Sequence, residues 1–175
     1  MCLSLVGSEM CIRDRQMALW GITDADEAKP KWLTTAQKKE VFANNSGWVV
    51  EAGSTQTGND NTDAQPEVLC CIGDLATGIG AADITEIEFI TTAFDKSDGG
   101  NIDVRVRFNE QVTVNTSGGT PTLTITNDTP ARNLTATYLS GSTTNELIFR
   151  KTIAAANAAT NAGDVLSIAA NAMAL

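Results

Sequence analysis

The sequence predicts a mainly β protein, an antiparallel β-sandwich preceded by a small α+β module, and three observations carry that expectation. The first is Asn101 to Val114, NIDVRVRFNEQVTV, where Ile102, Val104, Val106 and Phe108 alternate with Asp103, Arg105, Arg107 and Asn109. A period of two is how a strand covers a core on one face and meets water on the other. The second is the run of short alternating segments C-terminal to it, regularly spaced and separated by turn residues. The third is a small-residue stretch, GDLATGIGAAD, which reads as a linker and divides the chain.

Residues 1–16 are set aside as a leader. Met1 to Arg15 begins apolar, but it is too short to span a bilayer, and its arginines follow the apolar part instead of preceding it as in a secretory signal. Residues 17–73 form the small N-terminal module. Trp20 and Trp32 flank an acidic, Pro-containing connection that predicts an extended arm. Thr34-Thr35-Ala36-Gln37 has capping-box spacing and predicts a helix over Thr35 to Ala43, ended by Asn44-Asn45-Ser46-Gly47. Trp48 to Glu51 and Glu67 to Ile72 read as strands. The polar stretch from Gly53 to Pro66 between them is too long for a tight hairpin turn.

After the linker at 74–83, residues 84–175 form the sandwich. Ile84 to Phe94 is its first strand, Asp95 to Gly100 a turn, and Asn101 to Val114 the second strand. Gly118-Gly119 with Pro121 turns the chain into Thr122 to Thr126, with Leu123 and Ile125 inward. Leu134, Ala136 and Tyr138 repeat the pattern, Ser140 to Ser142 turns again, and Leu147 and Phe149 begin another inward row. Ala154 to Ala162 is a loop or at most one helical turn, because its asparagines and Gly163 oppose its alanines. Val165 to Ile168 is a last strand. The expected core is Ile102, Val104, Val106, Phe108, Leu123, Ile125, Leu147 and Phe149, at about 1.5–3 kcal/mol for each large side chain buried. The sequence stops at Leu175 with no further turn, so a C-terminally truncated sandwich with an unpaired edge is expected.

Composition narrows the function. There is no histidine among the 175 residues, which removes schemes needing an imidazole base or a histidine ligand. A net charge of -9 without a Lys/Arg cluster argues against nucleic acid, and no segment suits membrane insertion. With the leader set aside, Cys70 and Cys71 remain; adjacent on a strand they point to opposite faces and read as packing residues. Asp60 with Asp63, and Asp95, Asp98 and Asp103, are oxygen donors of the kind calcium takes. Neither set keeps EF-hand spacing, and turn residues are the reading adopted. No metal, no cofactor and no catalytic residue is expected. Arg105 and Arg107, with Asp103 and Glu110 nearby, read as a solvated strand face. Trp20, Trp32 and Trp48 have two readings, a small core or anchors docking on a partner.

Three resemblances add to this. NIDVRVRFNEQVTV, GGTPTLTITN, ATYLSGSTTNELIFRKTI and GDVLSIAANAMAL, in that order, resemble the bacterial Ig-like repeat family of large surface proteins and tailed-phage virion proteins, over residues 84–175. MALWG, PKWL, GWVV and EVLCCIG resemble the start of virion structural proteins of marine tailed phages, over residues 17–73. SLVGSEMCIRDR resembles translated sequencing-adapter read-through, which makes residues 1–15 an artefact and Met17 the natural start; a genuine disordered leader is the alternative. Together they imply a non-enzymatic virion structural protein, a capsid decoration or a neck, tail or fibre-associated component. It would display an Ig-like domain for particle stabilisation or weak surface adhesion. Its partners would be other virion proteins, copies of itself among them, and a host-surface glycan or protein. The alternative is a fragment of an extracellular, cell-surface adhesin built of Ig-like repeats.

Overall fold

The Thr34 capping box forms as its spacing predicts. The Gln37 amide donates to Thr34 Oγ1 (3.2 Å) and the Thr34 amide to Gln37 Oε1 (2.9 Å). In the computed structural model, which describes residues 29–156 and 160–174, helix α1 covers only Thr35–Lys39. The expected continuation to Ala43 is corrected: Val41–Asn44 is strand β1. Val41, Phe42 and Ala43 are all buried there, and packing of a β-branched and an aromatic side chain against both faces overrides the helical pattern. Asn45-Ser46 then turns β1 into β2 (Gly47–Val50) instead of ending a helix, with β1 and β2 antiparallel from Val41↔Val50 to Asn44↔Gly47. Gly47, at φ +130°, lies so close to the Cys70 carbonyl that no side chain fits.

The described chain is mainly β and divides into two units, residues up to Asp83 with Asn109–Gln111, and Ile84–Phe108 with the residues from Val112 on. The first unit orders its strands β3 (Glu67–Cys71), β2, β1, and Glu110 pairs in parallel with Ala43. Its core is Leu33, Val41, Ala43, Trp48, Val50, Leu75 and Ile79. Leu75 and Ile79 come from the stretch expected to be a linker. Helix α2 (Leu75–Gly78) places them at 1% and 0% exposure, so residues 74–83 belong to the fold and the division falls at Asp83.

The second unit is antiparallel throughout, in the order β4 (Ile84–Phe89), β5 (Gly100–Val112), β8 (Thr144–Ile153), β7 (Leu134–Ser140), β6 (Thr122–Asn127), β9 (Leu166–Ala174). A short 3-10 turn, Pro130–Arg132, lies between β6 and β7. β4 ends at Phe89, short of the expected Phe94, and the Ile90 and Thr91 amides both turn to the Asp103 carbonyl. β9 runs well past the expected Ile168. All eight expected core residues are buried, from 0% for Val104, Val106, Leu123, Ile125 and Phe149 to 6% for Phe108. Tyr138 is half-buried, edge-on to Phe149 at 6.1 Å.

Asn109 departs from its expected outward place. Phe108, Asn109 and Glu110 are buried in succession, where the pairing with β8 shifts between Arg107 and Val112. Such an irregularity abandons the period of two. The freed Asn109 amide donates to the Asp83 carbonyl (3.0 Å) and its Oδ1 accepts from the Asp83 amide (2.8 Å).

Candidate functional site

Outward positions of β4, β5 and β8 carry seven charged side chains of the second unit, Glu86, Glu88, Asp103, Arg105, Arg107, Glu146 and Arg150, and strand register decides what they meet. Glu88 lies opposite Arg105, Glu86 opposite Arg107, Arg107 opposite Glu146, and Asp103 opposite Arg150. Each of those juxtapositions is an ion pair: Arg105 with Glu88, Arg107 with Glu86 (3.2 Å) and with Glu146, and Arg150 with Asp103 through two 2.7 Å hydrogen bonds. Arg105 also reaches Glu146 diagonally at 3.4 Å. The Arg107 side chain is 11% exposed and that of Asp103 17%. The expectation of a solvated face is therefore corrected: Arg105 and Arg107 are the centre of a half-buried lattice of charges, and Glu110 is buried in the first unit. Hydrogen bonds from Arg150 hold the Asp103 carboxyl below its ordinary range. A carboxylate clamped by guanidinium groups stays charged and only accepts, the reverse of what a general acid requires.

A second node sits where β6 ends. Asp164 Oδ2 accepts from Asn127 Nδ2 and from the Asn161 amide, both at 2.8 Å, and Oδ1 faces Arg132 Nη2 at 3.2 Å. Arg132 also donates to Thr129 Oγ1, and Lys96 Nζ donates to Asn161 Oδ1 (2.9 Å). These bonds, the Asn127 one first, lower the Asp164 carboxyl from its usual range. The node fastens the long connection before β9 to the 3-10 turn.

The tryptophans separate. Trp48 is wholly buried in the first unit's core, so it is no docking anchor, and the core reading holds for it. Trp32 is 65% exposed. Trp20 lies outside the described residues. Cys70 packs against the core and its thiol is raised by burial, with the Cys71 thiol a smaller cause; Cys71 is exposed, not packed as expected, and neither forms a disulfide. Among the described residues no group of three acidic, cysteine or histidine side chains could hold a metal ion. Asp95 caps its own turn, its Oδ1 accepting from the Ser97 amide at 2.7 Å. No helix among the described residues is long and apolar enough to cross a membrane.

Sequence reasoning finds Arg105 and Arg107 but misses their partners. Glu86 and Glu88 alternate on β4, as Glu146 and Arg150 do across β8, so the outward side of each strand is visible, and only the register joins them. Asp164 has no signal beyond its place after Gly163. No protein family, curated protein or solved structure matches the chain.

Proposed function

We propose that this chain is a non-enzymatic structural component of a tailed-phage particle, in which the second unit is an Ig-like module and the first an attachment module. The observation that carries the reading is the strand order. Lettered A to F in chain order, the six strands of the second unit lie A-B-E-D-C-F. In an immunoglobulin sandwich A-B-E-D make one sheet and C-F-G the other; the neighbours A-B-E-D and C-F recur here, which supports the reading, while D and C, in different sheets there, pair here as a hairpin. Inward rows at or near zero exposure on β5, β8 and β6 suit two halves folded face to face.

The charges support a structural role as well. On the outer face of β4, β5 and β8 acids and arginines hold one another. Such a face stiffens a sheet and leaves its ends and edges for contact. Trp32 offers the first unit an aromatic surface residue of the kind that anchors interfaces. Other virion proteins are the partners proposed for it, and a host-surface glycan or protein for the Ig-like module.

Recovery of the uninterrupted gene with its neighbours tests the reading. A start at Met17 among particle-structure genes is expected, together with peptides of this chain in purified particles. An upstream secretion signal and further repeats downstream would replace it with a cell-surface adhesin.

A further inference from the structure

The two outer strands of the second unit are built differently. β4 carries Glu86 and Glu88, and charges on an edge discourage pairing with another chain. β9 carries no charge from Leu166 to Ala174, and its outer edge pairs with no strand among the described residues. Its amides and carbonyls on that side are the groups that another extended backbone satisfies.

Burial shows what such a partner would cover. Inward residues of β5 are 0–6% exposed, yet Leu166, Ile168 and Met173 on β9 are only half-buried, and Val165 beside them is 63% exposed. The apolar layer thins toward both ends of the sheet order, with Ile87 and Phe89 on β4 half-buried as well, but only on the β9 side does it end at a strand without charge. What completes it must be an extended segment that is itself apolar and uncharged.

We propose that β9 is a self-association edge, on which β9 of a second copy pairs antiparallel about a two-fold axis. Charge decides in favour of a second copy. A chain of net charge -9 repels itself over most of its surface, whereas two β9 edges bring no like charges together. A two-fold contact also needs a patch that complements itself, and an uncharged antiparallel strand does so at any register. Centred on Ala170, the pairing sets Ala169 opposite Asn171 of the second copy and Ile168 beside Ala172, joining the two apolar layers.

The register supplies the test. Ala169 and Asn171 are exposed, so charges placed there leave the unit's own packing alone. The 175-residue protein is expected to show a concentration-dependent monomer-to-dimer transition in sedimentation velocity. Ala169→Lys/Asn171→Lys and Ala169→Glu/Asn171→Glu each set like charges opposite one another, and each is expected to weaken the dimer by roughly tenfold or more. Mixed together, the two variants are expected to form the heterodimer. Restored association in the mixture cannot come from misfolded variants. In the unsubstituted protein, hydrogen exchange at β9 amides is expected to quicken on dilution. A monomer at all concentrations with β9 amides slow throughout, as when residues 1–28 cover the edge, overturns the proposal; so does a dimer indifferent to both variants, or variants that do not associate when mixed.

Discussion

At the scale of single residues, Asp103 shows how register turns a surface charge into a stabilising one. Its folded carboxyl titrates below the ordinary value of 3.8, first because Arg150 donates to it. A lowered acid contributes stability that is present above about pH 4 and lost as pH falls through the folded value. Melting temperature is therefore expected to drop on acidification, and Asp103→Asn to flatten that drop while lowering stability at pH 7. An unchanged acid limb in the variant would show that other carboxylates govern it. Trp32 and Trp48 make a second contrast. Trp48→Ala removes a wholly buried indole and is expected to cost about 3–5 kcal/mol in urea unfolding, against about 0.5 kcal/mol or less for Trp32→Ala. Flanking residues place Trp32 beside an extended arm and Trp48 on a strand, but that this strand is buried along its whole length is visible only in the fold.

Single elements are legible where one period governs them. β6, β7 and β8 carry the alternation at nearly full length and β5 from Ile102 to Phe108, and their inward residues follow from it, because a strand with one wet face must alternate. β1 reads as helix in the sequence because both its faces are buried and no alternation survives to mark it as a strand. The stretch after Gly73 passes for a linker for a related reason. In GDLATGIGAAD two apolar residues, Leu75 and Ile79, are enough to tie the stretch into a core, while its composition resembles a flexible chain. Partners across strands are not legible at all, since register follows from long-range pairing. The consequence is testable at Arg107, which faces Glu86 and Glu146 at once. Arg107→Ala leaves two half-buried carboxylates beside each other and is expected to cost about 1–3 kcal/mol. The more exposed Arg105 should matter less, about 0–1 kcal/mol for Arg105→Ala. Equal losses at the two sites would show that the lattice acts only as surface charge.

At the scale of the whole molecule, the chain carries its own reporters. The sole tyrosine, Tyr138, lies in the second unit against Phe149, whereas Trp32 and Trp48 lie in the first. Val106 is wholly buried, opposite Ile87 on β4 and Leu147 on β8. An aspartate there would have to give up hydration or break those pairings, a cost of several kcal/mol against the roughly 5–15 kcal/mol that holds a domain folded. Val106→Asp is therefore expected to abolish the tyrosine near-ultraviolet signal at room temperature. Trp48 packs with Leu33, Val41, Ala43, Val50, Leu75 and Ile79, none of which comes from the second unit. Its emission is expected to stay blue-shifted and shielded from quencher in the same variant. A soluble protein that keeps the tyrosine signal would overturn the inward placement of Val106, and loss of both signals together would show that the two units fold as one.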